Sequence, residues 1–330
     1  MSRILSGVRP SGDLHIGNYL GALKQWVELQ NSGEHETFFM LVDLHALDTI
    51  DDAETLRQKV REVAALYVGA GIDPAKSAIF AQSDVPAHTQ LMWILSSRSK
   101  MGDLERMTQF KDKAAKGGAE RVNLALFSYP ILMAADILLY QANLVPVGDD
   151  QVQHLEFARD LAKKFNNTYN KELFTIPERF AGELGARVMS LSHPEQKMSK
   201  SDDDPKGTLP LLADDDTLRK NVMRAVTDSG EEVKGGENKP ALNNLIELFA
   251  ALEDTTTQAI EQRFEGKGYG DFKSALADAV VETIAPIRER AQALLADTDA
   301  IDALLAEGAM RANAVANQTL ETVSKEVGLR

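Results

Sequence analysis

The first two-thirds of the chain alternates short apolar runs with amphipathic stretches that are long enough to form helices. Short runs of this kind are typical of strands that are buried on both faces, and strands that alternate with helices form parallel sheets. The pattern therefore predicts a doubly wound parallel α/β sheet. The predicted strands are 4–8, 38–42, 78–81, 144–147 and 187–191. The last of them leads directly into a loop at 197–201.

Helices are predicted between these strands. One begins at Asp51 or Asp52 and ends at the glycine pair Gly69 and Gly71. The others cover 17–30, 88–95 and 124–140.

After residue 202 the chain becomes rich in alanine and leucine with helical spacing, as at 242–252 and 301–327. This spacing predicts an all-helical second domain over 203–330, whose last helix could pack back on the first domain, residues 1–202. Pro286 is expected to start or kink one of its helices.

Length and composition limit the class of protein. A chain of 330 residues is long enough for two domains. Its net charge of −14 argues against non-specific binding to nucleic acid, although basic residues outnumber acidic ones between positions 98 and 121. No run is apolar enough to span a membrane, and a motif at Pro10 leaves no room for a leader segment. The absence of cysteine excludes disulfides and fits a reducing compartment, so we expect the cytoplasm.

The segment 10–18, Pro-Ser-Gly-Asp-Leu-His-Ile-Gly-Asn, follows the first strand and opens the first helix. A helix N-terminus attracts phosphate through its free N–H groups and its dipole. Gly12 and Gly17 allow the backbone to approach a ligand, and His15 and Asn18 lie one turn apart as side-chain donors. An ordinary strand–turn–helix capped by Ser11 and Asp13 would explain the same residues.

The second motif, Lys-Met-Ser-Lys-Ser at 197–201, carries two lysines and two serines. Lysines on a loop can act as point charges on a triphosphate, while serine hydroxyls donate hydrogen bonds. Such a pentapeptide by itself is usually a solvated loop. Following a predicted buried strand, and downstream of the first motif, it favours a nucleotide site.

Paired in this order, the motifs resemble the signatures of the class I aminoacyl-tRNA synthetases in the variant form of the tryptophan and tyrosine enzymes. Asn18 stands where that class commonly has a second His, and the whole chain resembles the tryptophanyl-tRNA synthetase family. The resemblance implies a Rossmann-like catalytic domain and a helical anticodon-binding domain. It also implies ATP and L-tryptophan as substrates, transfer of tryptophan to tRNA(Trp), and a homodimer. The catalytic residues that it implies are His15, Asn18, Lys197 and Lys200.

The resemblance also implies the residues that contact ATP. The turn at 148–151 follows the fourth strand, where its two aspartates could instead simply cap the next helix. Magnesium is expected on the phosphates rather than in a protein metal site. Lys111 could reach a phosphate or remain a surface lysine. The implied ATP contacts are Arg9, Pro10, Ser11, Gly17, Asn18, Gly148, Asp149, Asp150, Val188, Lys197, Met198, Ser199, Lys200 and Ser201.

Asp136 interrupts the otherwise apolar segment 129–140. A buried carboxylate needs a partner, and an indole N–H, which only donates, would satisfy it. A carboxylate that faces solvent or pairs with a distant Arg is the alternative. The resemblance implies that Asp136 binds the indole nitrogen and that Met133 packs on the ring. Tyr129, His45 and Gln151 are implied to orient the amino and carboxylate groups.

Two other synthetase-like functions remain open. A tyrosyl-tRNA synthetase is disfavoured because Gly148-Asp149-Asp150-Gln151 stands where a Gly-Gly-Ser-Asp-Gln type of turn would be expected. A paralogue that binds tryptophan or nucleotide without charging tRNA is disfavoured by the intact motifs. A dehydrogenase is disfavoured because no G-x-G-x-x-G follows the first strand.

Overall fold

The computed structural model of the protein describes residues 1–117, 122–180, 187–199 and 204–329. Within these ranges, five parallel strands form one sheet in the order β3-β2-β1-β4-β5. The order extends outwards from β1 in both directions, which confirms the predicted doubly wound parallel sheet. The strands are β1 (Ser2–Val8), β2 (His35–Leu41), β3 (Ala78–Ala81), β4 (Leu144–Val145) and β5 (Glu178–Arg179).

Helices connect the strands and make up the elements after β5. Asp52 caps the helix Ala53–Ala70, as predicted, and Gly71 ends it in a left-handed conformation. None of the helices in the described ranges is both long and apolar enough to cross a membrane. They are α1 (Ile16–Asn18), α2 (Lys24–Ser32), α3 (Ala53–Ala70), α4 (Ala87–Ser96), α5 (Met101–Leu104), α6 (Thr108–Gly117), α7 (Leu124–Leu139), α8 (Val152–Tyr169), α9 (Asp215–Arg224), α10 (Pro240–Leu252), α11 (Thr257–Arg263), α12 (Tyr269–Leu295) and α13 (Thr298–Glu326).

The sheet is buried on both faces. Phe38 and Met40 of β2 pack with α4, α7, α8 and α13, whereas Phe39 and Leu41 pack with α3 and α12. Successive residues of a strand point to opposite faces, so both sets of side chains must be apolar. This two-sided burial explains why β2 is an unbroken apolar run in the sequence.

Two local predictions were wrong, and a third is only partly resolved. Segment 187–191 is not a strand of the sheet, because Met189 pairs only with Lys197, and Glu178–Arg179 forms the fifth strand instead. Strand β4 ends at Val145, since the following Pro146 has no N–H to donate. Pro286 lies inside α12, which excludes the predicted helix start, while the predicted kink stays a prediction.

The long C-terminal helices contact the sheet-bearing half of the chain. Helix α12 packs on α3, and α13 packs on β3. The approach of α13 requires glycine at position 308, because a Cβ there would lie 1.8 Å from the carbonyl oxygen of Ile79. The domain boundary near residue 202 remains a prediction, and it falls in a segment outside the described residues.

Candidate active site

Strands β1 and β4 are neighbours whose connections leave in opposite directions, β1 towards β2 and β4 towards β5. In an open parallel sheet such a reversal creates a crevice at the carboxyl ends of the strands, where ligands bind. Two cavities lie there, with volumes of about 910 and 630 Å³. Both are bordered by Ser6, Gly7, Val8, Arg9 and Gln151, so they share a wall at the end of β1.

The first motif borders the larger cavity, and its own side chains build the start of the helix. His15 is the N-cap: its Nδ1 accepts a hydrogen bond from the Gly17 N–H at 3.2 Å, and Asn18 Oδ1 accepts from the His15 N–H at 3.0 Å. Because Nδ1 accepts, the neutral imidazole carries its proton on Nε2. Ser11 and Asp13 are therefore not the caps, and Asp13 pairs with Lys59 at 2.8 Å.

The helix that begins at Ile16 continues through a π-helical turn, Tyr19–Leu23, into α2. Such turns are frequent at functional sites because they displace side chains from regular helical positions. The predicted helix at 17–30 is thus present with an irregular first half. The turn includes Gly21 and Ala22, which border the larger cavity.

The second motif reaches the same cavity from a short hairpin, residues 188–198. The Met198 N–H donates to the Val188 carbonyl at 3.1 Å, and the Ser190 N–H donates to the Gln196 carbonyl at 2.8 Å. Lys197 and Ser199 are exposed at the cavity, while Val188 and Met198 are buried beneath it. Lys200 and Ser201 lie outside the described residues.

The first motif is joined through backbone hydrogen bonds to residues 209 and 211, which follow the second motif in the chain. The Ile16 N–H donates to the Leu209 carbonyl at 2.9 Å, and the Leu211 N–H donates to the Leu14 carbonyl at 2.8 Å. A Cβ on Gly17 would lie 3.4 Å from Val188 Cβ, so the helix start and the 188–198 hairpin are in contact. The larger cavity is therefore bordered by two motifs that are distant in sequence and packed together in space.

The smaller cavity is built around Asp136, which is only 3% exposed. Its Oδ1 accepts hydrogen bonds from Gln82 Nε2 and His88 Nδ1, both at 2.7 Å. Its Oδ2 lies 3.0 Å from His45 Nε2. The carboxylate neither faces solvent nor pairs with an Arg, because two imidazoles and an amide surround it.

These partners keep Asp136 ionised. Burial by itself raises the pKa of this carboxyl, but hydrogen bonds from His45 and His88 outweigh it and lower the pKa to about 2. The other ring nitrogen of His88, Nε2, lies 2.9 Å from the Tyr140 hydroxyl. Burial raises the pKa of this hydroxyl well above its usual value. Tyr140 therefore donates to His88, and His88 donates to Asp136.

The remaining predicted pocket residues border the same cavity, namely Tyr129, Met133, His45 and Gln151. The ring of His45 contacts the ring of Tyr129 edge to face, with centroids 6.0 Å apart. The Tyr129 hydroxyl is hydrogen-bonded to Nε2 of the buried His154. Burial raises the pKa of Tyr129 and lowers that of His154, so both groups are neutral at pH 7.

Comparison with known proteins agrees with this geometry. A family model described as class I tRNA synthetases (W and Y) matches residues 1–285. The tryptophan–tRNA ligase of Bacillus anthracis is 50% identical over 330 residues, which cover all of this chain and 98% of the relative. The chain belongs to the tryptophan–tRNA ligase family of class I tRNA synthetases.

Solved structures of this family match over the whole chain. The tryptophanyl-tRNA synthetase of Campylobacter jejuni, complexed with ADP and tryptophan, is 40% identical with a TM-score of 0.84, and the match covers 99% of this chain and 100% of that one. The tryptophanyl-tRNA synthetase of Mycoplasma pneumoniae is 31% identical with a TM-score of 0.89, covering 100% of this chain and 98% of that one.

Not every nucleotide residue that the family resemblance implied borders the larger cavity of this synthetase. Arg9, Ser11, Gly148 and Asp150 do. Pro10 is buried and does not, and the exposed Asp149 instead accepts a hydrogen bond from Arg179 at 2.6 Å. Lys111 does not border the cavity either, whereas Lys113 of the same helix does.

Three polar residues of the synthetase pocket were missed by the sequence reasoning: Gln82, His88 and Tyr140. They lie respectively just after β3, on α4 and just after α7, so only the fold brings them together. The one available signal was a His and a Tyr within apolar segments, which more often marks satisfied core residues.

Proposed function

We propose that this chain activates L-tryptophan with ATP to tryptophanyl-adenylate and pyrophosphate, and then transfers tryptophan to tRNA(Trp). The observation that carries the proposal is the position of Asp136. It is an ionised acceptor on a cavity bordered by Met133, Leu132 and Ile137, and this cavity shares a wall with the one that both motifs border.

Tryptophan is selected at Asp136 in this proposal. Its Oδ1 already accepts from two side chains and Oδ2 from one, so a ligand donor is best accommodated at Oδ2. An indole N–H fits because it donates and does not need a donor in return. Met133 packs on the ring, and Tyr129, His45 and Gln151 orient the α-amino and carboxylate groups.

Activation takes place at the shared wall. An oxygen of the tryptophan carboxylate attacks the α-phosphorus of ATP, and the bond from that phosphorus to pyrophosphate breaks. Negative charge grows on the phosphate oxygens, so preorganised donors and cations accelerate the step. The donors in this proposal are the Nε2–H of His15 and the side-chain amide of Asn18, and the cations are Lys197 and Lys200. Mg²⁺ arrives bound to the phosphates.

Transfer follows from the same intermediate. The hydroxyl of the tRNA 3′-terminal ribose attacks the activated carbonyl carbon, and AMP leaves. The helical region 203–330 is proposed to bind the anticodon, and the cytoplasm is the proposed location because charged tRNA is used there.

A homodimer is part of the proposal. Trp93 and Leu124 are 79% and 77% exposed, and each is next in sequence to a residue that borders the smaller cavity, Met92 and Ala125. Their helices, α4 and α7, pack together, and an exposed apolar patch on such a surface marks an interaction site. A Trp93→Asp variant should sediment as a monomer where the unmodified protein sediments as a dimer, and an unchanged dimer would place the interface elsewhere.

The function is tested by ATP–pyrophosphate exchange without tRNA, measured in parallel with tryptophan, tyrosine and phenylalanine. Exchange with tryptophan alone is the expected result. Exchange with tyrosine would move the chain to the tyrosine enzymes and remove the role of Asp136. Binding of tryptophan or ATP with no exchange would identify a paralogue that does not charge tRNA.

A further inference from the structure

In the 188–198 hairpin, the backbone N–H and C=O of Met189 make no hydrogen bond to the opposite strand of the hairpin. Hydrogen bonds on either side, Met198 N–H to Val188 and Ser190 N–H to Gln196, make Met189 and Lys197 a non-hydrogen-bonded antiparallel pair. In such a pair the N–H and C=O of each residue point away from the opposite strand. The N–H and C=O of Met189 therefore face outwards, on the side opposite Lys197.

A side chain of the helical region occupies this outer edge. Asn244, on α10 and only 4% exposed, accepts from the Met189 N–H through Oδ1 at 2.8 Å. It also donates from Nδ2 to the Met189 carbonyl at 3.0 Å. The amide of Asn244 thus takes the place that a neighbouring strand would have in a sheet.

This arrangement requires a carboxamide. The side chain must accept and donate at once in one plane, and among the uncharged side chains only Asn and Gln carry both groups in that geometry. Aspartate would accept from the N–H but would place a second oxygen against the carbonyl. Glutamine has the right groups, but its extra methylene would displace the backbone that it holds.

A second bond joins the same edge of the hairpin to the helical region. The Val226 N–H, two residues after α9, donates to the Leu191 carbonyl at 2.9 Å. The outer edge of the 188–198 hairpin is thus bonded at Met189 to Asn244 and at Leu191 to Val226. The opposite edge carries Lys197 into the nucleotide cavity.

From this geometry we infer that Asn244 is a positioning residue for Lys197: its bidentate bond to Met189 fixes the 188–198 hairpin against the nucleotide cavity. Asn244 touches neither substrate cavity. It acts through the backbone pair Met189–Lys197, so the helical region sets the position of a catalytic lysine. The inference rests on the proposed role of Lys197.

The chain supplies a matched control in the adjacent residue. Asn243 makes the same type of bidentate bond, with Oδ1 accepting from the Gly236 N–H at 3.0 Å and Nδ2 donating to the Gly236 carbonyl at 2.9 Å. It lies on the same helix but binds a loop of the helical region itself. Loss of Asn243 removes equivalent bonds without releasing the hairpin.

The kinetic test compares Asn244→Ala, Asn244→Gln and Asn243→Ala in ATP–pyrophosphate exchange. Displacement of a catalytic group by about 1 Å can cost roughly 100-fold in rate, so kcat should fall by about that factor in both Asn244 variants. Tryptophan affinity, measured by calorimetry, should remain that of the unmodified protein and report an intact pocket. Asn243→Ala should exchange at close to the unmodified rate.

Hydrogen–deuterium exchange provides a readout that does not depend on activity. Asn244→Ala should speed amide exchange in peptides that cover 188–198, and Asn243→Ala should not. Equal kcat losses in the two alanine variants, or a folded Asn244→Gln variant with unmodified kcat, would overturn the inference. If Asn244→Ala fails to fold, the glutamine variant decides alone. An unmodified protein without exchange activity contradicts the proposed function instead, and the deuterium result still tests the hairpin contact.

Discussion

The two cavities of the active site are organised by different means. In the smaller one, the polar centre is buried and cross-bonded by the protein itself, since Asp136 accepts from His45, Gln82 and His88. In the larger one, Lys197 and Ser199 are exposed, and the helix start at His15, Gly17 and Asn18 forms part of the wall. In the proposed function, the amino-acid pocket is thus preorganised to bind one donor atom of the ligand, while the nucleotide cavity presents groups to a highly charged ligand.

This difference predicts where each kind of mutation acts. Changes in the amino-acid pocket should alter the choice of amino acid, because a preorganised buried acceptor rejects ligands that lack the matching donor. Changes at the motifs should alter the rate of adenylate formation, because their groups act on charge that develops in the transition state.

The largest effect is expected for Asp136→Asn. The substitution keeps the size of the side chain but replaces one acceptor oxygen with an N–H₂ group that faces existing donors. The unmodified protein should prefer tryptophan over phenylalanine by about 10⁴-fold or more, and this preference should largely disappear along with most activity. Exchange kinetics with both amino acids measure it. A variant that retains the original tryptophan kinetics would show that the pocket has been misassigned.

Lys197→Ala should have the next largest effect and should act on rate alone. Removal of one charge-stabilising group typically lowers kcat by about 10²–10³-fold. Calorimetric affinity for tryptophan should not change, because Lys197 does not border the smaller cavity. Lys206→Ala is the matched control, since Lys206 is exposed nearby and borders neither cavity. Equal rates in the two variants would contradict the proposed role of Lys197.

The sequence predicted these two regions unequally, for a physical reason. Part of the wall of the larger cavity comes from two contiguous motifs, which are visible as short runs in the sequence. Even there, Asp149 pairs with Arg179 instead of bordering the cavity, and Lys113 borders the cavity where Lys111 does not. The sequence could not show this, because helix rotation and side-chain pairing depend on tertiary packing.

In the smaller cavity, Asp136 was visible as a charge in an apolar helix, but its partners were not. Gln82, His88 and Tyr140 come from three separate elements that only the doubly wound topology brings together. The 187–191 segment shows the same limit in the fold. Its apolar pattern suits a strand, yet its outer edge is bonded by the Asn244 side chain instead of by a neighbouring strand.

The preorganisation of Asp136 should also appear in the pH dependence of stability. Its pKa is about 2 in the folded protein, below the value near 3.9 of an unfolded chain, so its ionisation stabilises the fold above about pH 4. That contribution, about 2 kcal/mol, is lost as the pH falls from 4 to 2. Urea unfolding of the unmodified protein and of Asp136→Asn at pH 5 and pH 3 measures it. The difference in stability between the two proteins should shrink at the lower pH, and a constant difference would mean that the carboxyl is not held in its ionised form.

The smallest effect is expected at Tyr140→Phe, two hydrogen bonds away from Asp136. The ring of Tyr140, which packs near Phe38 and Phe80, is retained, but His88 Nε2 loses the hydroxyl that donates to it. If this hydrogen bond fixes the tautomer in which His88 donates to Asp136, tryptophan affinity should weaken by about 1 kcal/mol, roughly fivefold. The decisive comparison uses a tryptophan analogue with sulfur in place of the ring N–H. Tyr140→Phe should reduce the preference for tryptophan over this analogue, because the acceptor strength of Asp136 is what has changed. Equal losses for both ligands would show that Tyr140 only supports the shape of the pocket, and the preorganised centre would then end at His88.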